Sequence, residues 1–393
     1  MTGTRVRIAH LADAHLGVRQ FQRLTPDGVN QREADVAAQF GRAVDAVIAR
    51  GPDLVVIAGD LFHSVRPTNR SIVEAFSQLA RLRRELPGAP VVLIAGNHDT
   101  PRSTESGSIL QLMAGLGVDV ADGERRRLTY PHLGLGVLAV PHAALLAGDR
   151  DFRPDPACRL NLLVTHPEMT GYFPERGESD YGGVRVDPDV LGGEWSYVAL
   201  GHYHVASQVA PRAWYCGSLE FTSPNIWDEA EVERQRGVTK GLLLADLETG
   251  AVERVALPPS REVQDLPALD AAGMGARELD AAIEGRLAGV AGGIAGTVTR
   301  LVVWNVPRDL AHALDHGALR ATRAAALHFQ LDLRRPPVGR AVEPGAGGRR
   351  RTLGDLMDDW LARRPLDAEL DRARLVALGR EHLAAVQREE AEG

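Results

Sequence analysis

Lysine is almost absent from this chain: Lys240 is the only one in 393 residues. Any cationic side chain on a phosphate must therefore be arginine, whose planar fork matches phosphate geometry. Cysteine is scarce too. Cys158 and Cys216 have no spacing that suits a thiolate metal site or a redox pair, so a disulfide-built secreted fold is excluded and a reducing cytoplasm is expected. No apolar run approaches the roughly 18 residues that span a bilayer. The first residues also lack a positive segment followed by an apolar one, so neither a membrane association nor a secretory leader is expected. Excess positive charge is missing as well. A formal net charge of -7 excludes a protein that coats nucleic acid through bulk charge. It leaves room for a nucleic-acid enzyme whose bound cations set the local field.

What is present suits a globular protein: 44% apolar and 25% charged residues are enough to bury a sizeable core. The length predicts two or three domains. Apolar, β-branched runs at Val6–Leu11, Leu54–Ala58, Val91–Ala95, Gly136–Val140, Leu160–Thr165, Tyr197–Leu200 and Gly241–Ala245 read as buried strands. Between the early ones lie helical stretches such as Glu33–Arg50, with Val36, Phe40, Val44, Val47 and Ile48 near helical spacing. Strand, helix, strand predicts an α/β layered core, and the closer spacing of the later strands predicts a more antiparallel second half.

Pro258 and Pro259 mark a boundary. Domains are expected at 1–258, 259–340 and 341–393. The middle one reads as a small α+β unit: a helix at 276–287, a strand at 298–303, a helix at 310–323 and a strand at 326–333. The segment 336–348 reads as a linker. Thr352 and Asp355 then resemble a capping box. Leu353, Leu356, Met357, Trp360 and Leu361 follow as an apolar stripe, Pro365 breaks that helix, and a second runs to about Arg388.

Five polar segments each follow a predicted strand: Asp13-Ala14-His15; Gly59-Asp60, continuing to His63; Gly96-Asn97-His98-Asp99; His166; and Gly201-His202-Tyr203-His204. Ligands of open α/β sheets collect at the carboxyl ends of strands, so five such ends describe one site assembled from distant sequence. Carboxylate, amide oxygen and imidazole together suit Mn, Fe or Zn. Asp60, with two carboxylate oxygens, is placed to bridge two ions. Singly, an Asp-x-His or Gly-Asp is usually turn chemistry, and His166 alone would be a hydrogen-bonded core residue. Five together, in this order, are not.

These segments resemble the signature of the calcineurin-like metallophosphoesterases: Asp-x-His, Gly-Asp, Gly-Asn-His-Asp/Glu, His and Gly-His-x-His. A narrower resemblance, over residues 5–225, is to SbcD-type DNA double-strand-break repair nucleases. It rests on His10 to Gly17, Gly59 to Pro67, Arg19-Gln20-Phe21, Gln31-Arg32-Glu33 and Gly217-Ser218-Leu219-Glu220. The resemblance implies a β-sandwich core flanked by helices, a cap domain and a helical tail. It implies two divalent ions, with Mn²⁺ expected, one held by Asp13, His15, Asp60 and His204, the other by Asp60, Asn97, His166 and His202. His98 and His63 would face the scissile phosphate, with Asp99 orienting His98. Expected partners are DNA, a second copy of the chain, and an SbcC-type coiled-coil ATPase subunit bound by the tail helices. The chain departs from the pattern at Pro167-Glu168, at Tyr203 and around Trp227. Two other functions are weighed. One is a related enzyme on another phosphodiester or a phosphomonoester, which His63, Arg66 and the cap-like unit after residue 258 argue against. The other is a scaffold that binds DNA ends without cutting, against which the full ligand set stands.

His10, His132, His142, His312, His316, His328 and His382 lack motif spacing and are expected to be structural or superficial. The clusters at Arg81, Arg83 and Arg84, at 125–127 and at 349–351 read as solvated faces, one or two of which could line a DNA path.

Overall fold

The computed structural model describes residues 5–101, 107–172, 182–191, 194–337, 352–363 and 371–392. The linker at 338–348, Arg349–Arg351 and Pro365 lie outside these residues. By internal contacts the chain forms two units, Met1–Pro336 and Pro337–Gly393.

The first unit holds two six-stranded sheets. One is built from β1 (Arg7–Leu11), β2 (Leu54–Ile57), β3 (Val91–Ile94), β4 (Asp119–Ala121) and a later hairpin. Helices α1 (Gln31–Arg50), α2 (Asn69–Glu85) and α3 (Gln111–Ala114) connect those strands. The other contains β5 (Arg126–Tyr130), β6 (Leu135–Val140) and, after the short α4 (His142–Leu146), β7 (Leu160–Thr165). A two-stranded ribbon, β8 (Glu168–Met169) with β9 (Arg185–Val186), leads to β10 (Tyr197–Leu200), β11 (Ser207–Ala210) and β12 (Ala213–Tyr215) of that second sheet. Helix α5 (Ile226–Arg236) then leads to the hairpin β13 (Gly241–Asp246) and β14 (Val252–Ala256) that completes the first.

Side-chain alternation explains the layering. Val137 and Ala139 of β6 point into the core shared with Ile8, Val55 and Val92, whereas Leu138 and Val140 pack on the outer face with Leu163 and Leu200. Helix α1 starts where the Asn30 side chain accepts the Arg32 and Glu33 N–H groups, and ends at Gly51 in the left-handed conformation, as a helix with its terminal donors and acceptors satisfied should. It buries Val36, Phe40, Val44 and Val47.

The later half is more antiparallel than the first, as expected: β1–β2, β2–β3 and β3–β4 pair in parallel, whereas β5–β6, β11–β12, β13–β14 and β1–β13 pair antiparallel. In the second sheet β6–β7, β7–β10 and β10–β12 pair in parallel, with antiparallel pairs only at the two edges. The reason is that the connections hold α4, the ribbon and β11, which carry the chain back to the same end of the sheet.

A second sheet system follows 258: β15 (Val263–Asp270), α6 (Ala276–Ala288), β16 (Val298–Trp304), α7 (Arg308–His312), α8 (His316–Ala325) and β17 (His328–Leu333), with all three strands parallel. Strand β15 was not expected. The single helix expected over 310–323 is two, because Asp315 accepts the Gly317 and Ala318 N–H groups and starts a new helix there. Trp227, Ile226 and Phe221 share a buried cluster with Val298 and Leu327, against which Phe21 packs.

The C-terminal unit has α9 (Leu353–Arg363) and α10 (Arg372–Glu392). Thr352 and Asp355 form the expected cap, each accepting from the other's backbone N–H at 3.2 and 2.7 Å. Arg380 pairs with Asp358 across the two helices, while Leu356 and Trp360 are exposed. No helix among the described residues is long and apolar enough to cross a membrane.

Candidate metal centre

The five motifs converge because two loops keep pairing after their strands end. Asp13 N–H donates to the Gly59 carbonyl at 3.1 Å, His15 to Asp60 at 2.9 Å and Leu16 to Leu61 at 2.9 Å. Asp13 and His15 are thereby laid alongside Asp60. The loops bend sharply enough to put Asp13, His15, Asp60 and His202 at φ 51°, 47°, 51° and 98°. Left-handed φ in non-glycine residues costs of order 1–3 kcal/mol each and gathers where function requires a strained turn. Gly96 allows a close approach: a Cβ there would overlap an Asp60 carboxylate oxygen and lie 2.6 Å from the Asp60 nitrogen.

Three clusters of ligand-type atoms result among the described residues: His15, His63 and His98 form one of imidazoles alone, and two combine carboxylate with imidazole. Of these two, Asp13, His15 and His204 form one and Asp60, His166 and His202 the other, each with its atoms within 4.8 Å of one another. His15 Nε2 lies 3.0 Å from His204 Nε2. Asn97 Oδ1 lies 3.1 Å from His166 Nε2 and 3.0 Å from His202 Nδ1, which adds Asn97 to the second. Asp60 faces both clusters, with Oδ2 at 3.3 Å from His166 Nε2 and 3.8 Å from His15 Nε2. All the predicted ligand residues are thus brought together.

Several features fit this set to divalent cations. Asp60 Oδ1 accepts the His98 N–H at 2.9 Å, while Oδ2 is buried and receives no hydrogen bond among the described residues. His166 Nδ1–H donates to the Ala58 carbonyl at 2.7 Å. In the neutral ring that leaves the Nε2 lone pair facing Asp60 and Asn97, the usual arrangement of a ligating imidazole. Asp13 accepts the His202 N–H at 3.0 Å.

Electrostatics agree with that fit. Burial raises the Asp13 carboxyl to about 6. Burial also works against ionised Asp60, but His166, His15 and His98 around it override this and hold it well below the usual range. His15 is pushed well below its ordinary value by burial. Burial opposes charge on His166, yet Asp60 and Asp13 lift it to about 9. Without ions, a proton on His166 supplies the positive charge that the carboxylates require.

His63 and His98 roof the centre. Their rings stack at 5.1 Å and 25°, and both contact the His15 ring. Asp99 does not orient the His98 ring as expected. His98 Nδ1–H donates to the His63 carbonyl at 2.8 Å, while Asp99 accepts the backbone N–H groups of Leu61, Phe62 and Gly96 at 3.0, 2.9 and 3.2 Å. Asp99 clamps two loops together. Burial, then the Asp60 charge, raises it to about 7.

Other residues at the site escaped the motif reading. His142, expected to be structural, begins α4 just past the end of β6. It is buried, its N–H donates to Ala95 at 2.9 Å, and burial lowers it to about 4 with His166, Asp60 and His98 near enough to act on its charge. A polar residue after a strand end was the available signal. The Tyr215 hydroxyl donates to Pro167 at 2.8 Å and accepts from Met169 N–H at 2.9 Å, fixing the turn after His166. Lys240, Glu229 and Ser218 lie behind His204. His328, also expected to be structural or superficial, stacks on Phe21 at 4.0 Å and 14°.

Residues 6–206 match the family model of the calcineurin-like phosphoesterases. The chain is 28% identical over 280 residues to the DNA double-strand break repair protein Mre11 of Methanopyrus kandleri, covering 66% of this chain and 58% of that protein. It is 27% identical over 252 residues to the Mre11 protein of Sulfurisphaera tokodaii, covering 62% and 60%. To that of Haloferax volcanii it is 31% identical over 226 residues, covering 56% and 47%. The chain therefore spans about three-fifths of the length of the first two relatives. The family match takes in more than half of the 393 residues and ends just past the last two histidines of the centre, and on that ground the chain belongs to the calcineurin-like phosphoesterase family.

Proposed function

We propose that this chain is a metal-dependent DNA nuclease acting in double-strand-break repair, cutting duplex ends and single-stranded or hairpin DNA. One observation carries the reading. Two ligand clusters share Asp60 beneath a stacked pair of half-exposed imidazoles, His63 and His98. Asp13, His15, Asp60 and His204 would hold one ion, and Asp60, Asn97, His166 and His202 the other. The oxygen and imidazole donors suit Mn²⁺. A bound pair of such ions supplies Lewis-acid charge and a water of lowered pKa for attack on phosphorus.

The chain's own groups supply the rest. Because a carbonyl only accepts, the His63 carbonyl keeps the proton of His98 on Nδ1. Nε2 is then the His98 atom that gains or loses a proton, and from there it donates to the leaving 3′ or 5′ oxygen. His63 stacks on it and orients the phosphate. Val73 and Phe76, exposed on α2, suit a contact with a second copy. Leu356 and Trp360, exposed on α9, suit the helical base of an ATPase subunit that would gate duplex entry.

A substrate panel tests the reading. The purified chain with Mn²⁺ is assayed on hairpin DNA, duplex ends, cyclic nucleotides and a generic phosphomonoester. Cleavage of the DNA substrates is expected; cleavage of only the small esters would contradict it.

A further inference from the structure

The only lysine of the chain is fully buried. Its ammonium donates to Ser218 Oγ at 2.8 Å and to the His204 carbonyl at 3.2 Å, and it pairs with Glu233 at 3.0 Å and, at closer range, with Glu229. It also lies 4.5 Å from the Phe221 ring centre. Burial disfavours its charge, but Glu229 and Glu233 outweigh this and raise its pKa.

This cluster backs directly onto His204. The His204 carbonyl also accepts the Ser218 N–H at 3.0 Å. Glu229 Oε2 lies 3.9 Å from His204 Nδ1, on the side of the ring away from His15. Glu229 is held in turn by the Ser223 hydroxyl at 2.6 Å and the Ser218 hydroxyl at 3.1 Å. Four acceptors crowd one enclosed point, so a compact ammonium with three tetrahedral donors fits where a planar guanidinium does not. Everywhere else the sequence uses arginine.

We infer that Lys240 and Glu229 are positioning residues that set the backbone and ring of His204, and so assemble the ion site of Asp13, His15 and His204 without bearing on that of Asn97, His166 and His202. The inference rests on the two-ion reading above. Charged groups behind a ligating histidine fix its orientation, and their loss typically costs about 10–100-fold in metal affinity. The cost falls on one site because no described hydrogen bond joins Lys240 or Glu229 to the second cluster.

The test is Mn²⁺ binding to the full chain, followed by calorimetry and by electron paramagnetic resonance, in the native protein, in Lys240→Met and in the double variant Lys240→Met/Glu229→Gln. The double variant removes one of the two buried carboxylates, Glu229 and Glu233, that Lys240→Met leaves unpaired, and so lowers the buried charge that could unfold the single one. Two ions with a spin-coupled signal are expected in the native protein. In whichever variant retains native far-ultraviolet circular dichroism, one ion should bind as before and the other about 10–100-fold more weakly, with the coupled signal lost. Two ions at native affinity in a folded variant would overturn the positioning role and leave the two-ion reading intact. Equal weakening of both ions, or failure of both variants to fold, would make the cluster a general structural element and overturn it too. A native chain that binds fewer than two ions would overturn both.

Discussion

Replacing Gly96 with alanine adds one methyl group where the backbone passes against Asp60. The new Cβ would overlap an Asp60 carboxylate oxygen and stand 2.6 Å from the Asp60 nitrogen and 2.7 Å from its Cγ. Gly96 is not among the glycines with positive φ, so the backbone accepts alanine and the contact alone is at issue. Asp60 is fully buried and its neighbours are well packed, leaving it nowhere to go. Overpacking of this kind costs about 1–3 kcal/mol, and about 2 °C of melting temperature is expected per kcal/mol in a unit of this size. Gly96→Ala should therefore melt a few degrees below the native protein in the presence of a chelator. Because Asp60 faces both clusters, affinity for both ions should fall. Gly88→Ala supplies the control, since nothing lies within 4 Å of a Cβ there and its φ is also not positive. Differential scanning calorimetry in chelator, with a Mn²⁺ titration, reads both effects. A Gly96→Ala protein that melts and binds ions like Gly88→Ala would refute the close packing on which the geometry of Asp60 depends.

Further outcomes follow from the same residues. With His166 raised to about 9 by Asp60 and Asp13, an entering ion must displace its proton. Apparent ion affinity should then rise with pH, by up to about tenfold per unit for one proton released, and level off near pH 9; a flat profile between pH 6 and 8 would contradict this. Asp99→Ala strands three buried N–H groups, at about 1–3 kcal/mol each, so the chelated protein should unfold at markedly lower urea. His98→Ala should abolish DNA cleavage while both ions still bind; near-native turnover would remove His98 from the chemistry. On the proposed reading, a chain truncated after Pro344 should lose co-purification with a coiled-coil ATPase subunit while still cleaving hairpin DNA in Mn²⁺; a truncated chain that still co-purifies would refute the role of the tail.

Most of the candidate centre was legible in the sequence because each candidate ligand follows a strand end: Asp13, Asp60 and Asn97 follow β1, β2 and β3 of the first sheet, and His166 and the pair His202 and His204 follow β7 and β10 of the second. That rule, with the residue types, singled out Asp13, His15, Asp60, Asn97, His166, His202 and His204; their division between two ions came from the family resemblance. For Asp99 the family resemblance implied a partner in His98, whereas its carboxylate accepts backbone N–H groups from a loop 37 and 38 residues away. Lys240 was noticed for its rarity but not for its place. Nothing in a Thr-Lys-Gly segment announces that α5 will close two carboxylates over it. In the fold, the parallel pairing in the middle of the second sheet was hidden because strand spacing reports the length of a connection and not its direction. Asp315, an N-cap inside an apolar helical pattern, was a visible signal for the break between α7 and α8.

The sharing of Asp60 is the claim on which the account turns. Mn²⁺ bound per chain, measured by equilibrium dialysis for the native protein, Asp13→Asn and Asp60→Asn, tests it most directly. The native chain should bind two ions; Asp13→Asn should weaken one, and Asp60→Asn should weaken both. Asp60→Asn retaining either ion at native affinity would contradict a shared carboxylate, and with it the two-ion centre.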